Sequence, residues 1–288
     1  FIDHHAGREL EPEETMEALT LLEMQRNRML MYTSCGWFFD DLTGIETLQI
    51  LSYAARAIQL AFRFDAGLMN AFLRELGAAR SNIKPQNSGD QLFKEKIFPL
   101  IIGLSQVAAH EVITSLYEKV LPQKRLYCYE VRMNDFTHQE FLERVMLFGR
   151  ICVQSLITLE TREFIFSVLY LGALDLRCSI DDIKKTELKY EDVKKDLIQT
   201  FHKTSSTELI RKLDSYFPKH YFAFKDLFKD QRYKVIKIVT RSLFKEQAAL
   251  FGNFFRKNED LARLIISHGV SLPDTFRAAA RFVLNREF

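Results

Sequence analysis

The sequence predicts a mainly α-helical protein, a helical bundle with a small antiparallel β-sheet in the middle of the chain (an α+β arrangement). Two observations carry this. Apolar residues recur at helical spacing before about residue 122 and again from about residue 187. Between them, over 125–180, the chain turns to Val-, Ile-, Phe- and Tyr-rich runs broken by short polar turns. The corresponding parts are 1–122, a helical bundle, 123–186, the sheet, and 187–288, helices that pack on the bundle.

The first helix is predicted over 12–39. Pro12 suits a first turn, Glu13, Glu14 and Glu17 favour the positive end of the helix dipole, and Met16, Leu19, Leu22, Met29 and Leu30 form the stripe. Thr43-Gly44 interrupts it. A second helix over 45–64 places Ile45, Leu48, Leu51, Ala55 and Ile58 on one face, and a third covers 65–79, stopping near Gly77. Turn residues make 81–90 a polar loop, and the next helix runs from Gly89 to Leu121 with a possible break at Pro99 and a stop at Pro122.

Arg125–Val131 alternates as a strand does. The stretches 144–158 and 163–180, with Thr161-Arg162 turning between them, complete an antiparallel sheet of about three or four strands. Helix is the competing assignment for 139–147 because Gln139-Glu140-Phe141-Leu142-Glu143-Arg144 has helical propensity. Further helices are predicted at 189–202, 205–214, 229–256, 258–268 and 273–286, the last announced by Ser271-Leu272-Pro273-Asp274.

Composition excludes several functions. A chain that is 47% hydrophobic and 27% charged can form a real core, and a net charge of +2 is far from the basic excess of a general nucleic-acid binder. No apolar run reaches the length that spans a bilayer, so no membrane partner is expected. Cys35, Cys128, Cys152 and Cys178 form no CxxC pair and read as reduced thiols of a cytoplasmic protein. His110-Glu111 begins like a zinc-protease helix, but Thr114 stands where the second His belongs, and neither metal nor cofactor is expected. Lys234, Lys237, Arg241 and Lys245 share one side of the 229–256 helix, as a solvated face or a docking face for an acidic partner.

The most distinctive run is MYTSCGWFFDD, residues 31–41, followed by GIET. It holds the single Trp, beside Gly36 and two carboxylates. An indole can stack on the apolar face of a sugar, and carboxylates accept hydrogen bonds from sugar hydroxyls. The alternative is an indole packed as a core anchor against Phe38, Phe39 or the next helix. Adjacent on a helix, Asp40 and Asp41 would point about 100° apart, which suits neither for the paired carboxyl groups of a retaining glycosidase.

This run, the YAARAIQL that follows, LYCYEV (126–131), TLETREFIFSVLYLGALDLRCSI (158–180) and HYFAFKDLFKDQRYKVI (220–236) together resemble the C-terminal region, domain of unknown function 3536, of bacterial family 57 glycoside hydrolases of the alpha-amylase/alpha-mannosidase type. The resemblance implies a parent protein, a hydrolase or glucanotransferase, whose catalytic (β/α)7 barrel acts on α-glucans and precedes this region in the same polypeptide. It implies that the helical region packs on the barrel and lends a Trp and an acidic side chain to the cleft. By position and type these are Trp37 with Asp40 or Asp41. The barrel's motifs are not found in this sequence, so no catalytic residue is expected here and the region alone is expected to be inactive; the lack of an initiating Met is what an excised domain or proteolytic fragment would show. A helical interaction or scaffold module with no carbohydrate contact is the other functional class.

Overall fold

The computed structural model describes residues 2–83, 88–172, 174–184, 189–203, 205–218 and 221–284. Residues 84–87 of the expected 81–90 loop, His220 of the 220–236 stretch, residues 187–188 at the start of the expected C-terminal part and the end of the helix expected over 273–286 lie outside them. Two compact units divide the chain: Phe1–Ser115 with Lys119–Asp226, and Leu116–Glu118 with Leu227–Phe288.

The first unit begins with a short helix, α1 (Ile2–His5), then α2 (Pro12–Leu30). Pro12 occupies the first turn of α2, where its missing N–H costs nothing, and the Glu14 carboxylate accepts from the Glu11 N–H at 3.0 Å. The helix expected over 12–39 stops at Leu30, and a single 3-10 turn, Ser34–Gly36, follows. Helices α3 (Ile45–Ala61) and α4 (Leu68–Leu76) form close to their expected spans. The continuous helix expected from Gly89 to Leu121 does not. It is α5 (Gly89–Leu92), a π turn (Phe93–Ile97), a 3-10 turn (Phe98–Leu100) and, after Gly103, α6 (Leu104–Thr114). Pro99 removes an amide donor and the chain re-enters a helix only beyond it. Leu51, Ala55, Leu92, Phe93 and Ile97 make a core cluster here, with the Phe72 ring edge-on to Phe93 at 5.4 Å.

The sheet corrects the expected fold class. It is not a small sheet of three or four strands set in a mainly α-helical bundle. Six antiparallel strands follow in sequence order: β1 (Gln123–Leu126), β2 (Tyr129–Phe141), β3 (Arg144–Ser155), β4 (Thr161–Gly172), β5 (Asp175–Asp182) and β6 (Tyr221–Phe222). The protein is therefore a mixed α+β fold in which the sheet carries much of the core. The competing helix at 139–147 is overturned as well: Phe141 pairs with Arg144 across a two-residue hairpin, and β2 and β3 run side by side for their whole length, apart from a bulge between Met133 and Asp135.

Both faces of the sheet are covered. Met146, Phe148, Ile165 and Leu169 pack against α7 (Tyr190–Lys203) and α8 (Ser206–Tyr216) through Val193, Leu197, Phe201, Leu209 and Leu213. Leu147, Ile151, Phe166 and Val168, one residue out of step, are equally buried, and α6 lies against β3, β4 and β5. Every residue of α6 from Val107 to Thr114 is buried, as befits a helix enclosed on all sides. Its Glu111 accepts from Lys124 Nζ of β1 at 3.1 Å.

The second unit is dominated by α9, one helix from Lys229 to Ser267 where two were expected, followed by α10 (Asp274–Leu284). Phe276 of α10 meets the rings of Phe254 and Phe255 at 5.8 and 5.6 Å.

Candidate functional site

The Trp37 motif sits where α2 ends. Backbone bonds wind the chain tightly past Leu30: Tyr32 N–H donates to Met29 O, Gly36 N–H to Thr33 O at 3.0 Å, and Trp37 and Phe38 N–H both to Ser34 O at 3.1 and 2.9 Å. Gly36 is needed for closeness rather than for a special φ. A Cβ there would meet Met31 O at 3.2 Å and the Ile50 side chain of α3 at 3.4 Å. With the backbone of 34–36 against these neighbours, the side chains beyond it project to the surface. Trp37 is 70% exposed, Phe38 71%, Tyr32 71% and Phe39 48%. Phe38 and Phe39 pair edge-to-face at 5.3 Å. The indole is therefore not the buried anchor of the alternative arrangement; it belongs to an exposed aromatic ledge. A cluster of exposed aromatic side chains within eight residues is a candidate contact region.

The two carboxylates have different surroundings. Asp41 is half-buried and saturated with donors: Thr43 Oγ1 at 2.6 Å, Thr43 N–H at 2.8 Å, Asn82 N–H at 2.7 Å and Ser81 Oγ at 2.9 Å. Those bonds, Thr43 first and then Asn82 and Ser81, hold its carboxyl well below the usual carboxylate range. Asp41 thus staples the turn after the ledge to the 81–82 segment, and the Asn82 side chain reinforces it by donating to Asp40 O at 2.9 Å. The Asp40 carboxylate is exposed and takes no hydrogen bond from any described residue.

The site thus offers several exposed aromatic rings, one open acceptor group and a hydrogen-bonded turn. Asp41, held ionised, is unsuited to be the proton donor of a glycosidase. Sequence reasoning singled out the indole and the acids but missed the exposure of Tyr32, Phe38 and Phe39, and it missed Ser81 and Asn82. The aromatic run itself was a signal for the former. Nothing in the sequence signals that two small polar residues forty positions away close on Asp41.

Cys35, Cys128, Cys152 and Cys178 are unpaired, and burial pushes the Cys178 thiol far up. Among the described residues no three His, Cys, Asp or Glu side chains gather as a metal site would require, and no single helix is long and apolar enough to cross a membrane.

No curated protein and no solved structure matches the chain. A family model does, described as a domain of unknown function, DUF3536, and it covers residues 1–228, ending where α9 of the second unit begins. Matched over most of its length, the chain belongs to the DUF3536 family.

Proposed function

We propose that this region is a non-catalytic accessory part of a cytoplasmic, bacterial α-glucan-active protein of the family 57 glycoside hydrolase type. It packs on the (β/α)7 barrel of the same polypeptide and lends the aromatic ledge to the edge of the glycan cleft. Trp37 is the stacking platform, Asp40 accepts from a sugar hydroxyl, and Asp41 fixes the turn that presents them. The observation that supports this reading is an indole 70% exposed on a hydrogen-bonded turn, three residues from a carboxylate without a partner among the described residues.

Because there is one Trp, its fluorescence reports on the ledge alone. Acrylamide should quench it freely, and maltoheptaose should protect it. Trp37→Ala in the protein that carries both barrel and ledge should weaken glycan binding by about 1–3 kcal/mol, the lost burial of one aromatic face. Quenching indifferent to maltoheptaose, together with unchanged turnover in Trp37→Ala, would dismiss the glycan contact.

The second reading, a scaffold module without sugar contact, draws on the width of the ledge. Phe38, Phe39 and Ile45 are all exposed and together offer more apolar surface than one sugar ring covers. Shielding of Trp37 by the purified barrel, with no further change on adding sugar, would favour it.

A further inference from the structure

A separate concavity of about 180 Å³ lies within the first unit, between one face of α3, the turns around Leu100 and the β1–β2 hairpin. Arg56 and Gln59 of α3 border it, with Tyr129 at the start of β2. Its other walls are largely aliphatic, among them Ile97, Leu100 and Ile157. Gln59 donates to Ile102 O at 2.8 Å and accepts one Arg56 N–H at 2.7 Å, so the guanidinium is held from below by a neutral amide. No carboxylate among the described residues bonds to Arg56. Glu160, an acid whose charge bears on Tyr129, is paired with Arg162 at 2.7 Å. Burial, and then Cys128, keep the Tyr129 phenol above its ordinary pKa, so it remains a neutral hydroxyl. A guanidinium with no carboxylate partner among the described residues, set beside largely apolar walls, fits a small-ligand pocket better than a packing defect.

We propose that this pocket binds a small monocarboxylate with an apolar body, its carboxylate on Arg56 and its hydrocarbon part against Ile97, Leu100 and Ile157. A guanidinium matches a carboxylate through two parallel N–H donors. One cation in a mostly apolar cavity cannot repay the desolvation of a phosphate dianion. The inference is independent of the aromatic ledge and of any glycan.

The test is an NMR-detected titration of the full chain with benzoate, hexanoate, benzyl alcohol and inorganic phosphate. Benzoate or hexanoate should shift resonances around Arg56, with benzyl alcohol and phosphate at least roughly tenfold weaker, as expected when a charge-assisted pair is lost. Arg56→Gln should lose binding by a similar factor while Trp37 quenching stays as in the wild type. Should Arg56→Gln fail to fold, Leu100→Trp, on the exposed rim, should block the same ligands by filling the mouth. No binding of either acid, equal binding of acid and alcohol, phosphate as the tighter ligand, or undiminished binding in the folded variant would each overturn the proposal.

Discussion

Gly149 should be the least replaceable glycine in the protein. It pairs with Phe136 of β2 on one side and with Phe166 of β4 on the other. A Cβ at this position would lie 2.1 Å from Asp135 O and 2.8 Å from Phe166 Cζ. Carbon and oxygen need roughly 3.2 Å, so Gly149→Ala forces the β2 backbone back by about 1 Å. Overpacking in a core costs about 1–3 kcal/mol, and each ladder bond stretched in the retreat adds about 1 kcal/mol. The total is about 2–5 kcal/mol, or a Tm lower by roughly 5–15 °C for a domain of this size. The displaced residue also matters, because Asp135 receives the Tyr190 hydroxyl and Lys194 Nζ of α7, the latter at 2.8 Å. Thermal unfolding followed by circular dichroism reads the loss. Gly252→Ala is the matched control: it lies inside α9, nothing stands within 4 Å of its Cβ position, and alanine should help the helix by about 0.5–1 kcal/mol. A Gly149→Ala protein that melts within about 2 °C of the wild type would refute the reasoning.

The packing and the hydrogen bonds lead to three further outcomes. Leu197→Ala should cost about 2–5 kcal/mol in chemical denaturation, since Leu197 is fully buried between α8 and the sheet and the cavity cannot collapse between two layers. Tyr190→Phe removes only the hydroxyl that donates to Asp135 and should cost about 1 kcal/mol, whereas Tyr190→Ala also loses the stack on Phe148 at 5.4 Å and should cost clearly more in the same assay. Acid should destabilise the protein in a particular window. Ser88 and then Lys94 lower Asp90 to about 2, Arg8 and then the Glu11 amide lower Glu14 to about 2, and Asp41 lies lower still. Unfolded carboxyls titrate near about 4, so these groups add stability above that pH, and it is lost as pH falls through the folded values. Tm should hold from pH 7 to about 5 and then decline towards pH 2, less steeply in Asp90→Asn, and a Tm flat to pH 2 would contradict the assigned bonds.

Most helices were legible because their signals are local. Pro12 with its following acids, the Ile45–Ile58 stripe and Ser271-Leu272-Pro273-Asp274 each mark a helix that the structure contains. The sheet was under-read for two physical reasons. Because both faces are covered, β4 runs through Phe164, Ile165, Phe166, Ser167, Val168 and Leu169, all buried, with no polar alternation to separate strand from core helix. Three of the hairpins also lack the usual glycine or asparagine, and only the β4–β5 turn has one, Gly172 at φ 117°. Tyr127, Leu142 and Leu159 take left-handed φ values of 54°, 56° and 60° at the turns. A leucine in that conformation costs about 1–2 kcal/mol, which sheet pairing and burial on both sides must offset. Leu142 looked like part of a helix because, by propensity alone, it should be.

The candidate sites divide along the same line. The Trp37 run could be singled out because Trp37, Phe38, Phe39, Asp40 and Asp41 are consecutive, although the exposure of its phenylalanines was not foreseen. The Arg56 pocket could not be, since its walls come from α3, from the broken helix around Pro99 and from the β1–β2 hairpin, and the sequence placed an unbroken helix over the second of these. Had 89–121 been one rod, Ile97 and Leu100 would have pointed along its own face instead of closing over Arg56. The proline that interrupts that rod thus shapes the cavity. Replacing Pro99 by Ala would restore an amide donor, favour a longer helix and weaken carboxylate binding without touching Arg56. Unaltered benzoate affinity in Pro99→Ala would show that the cavity does not depend on the break.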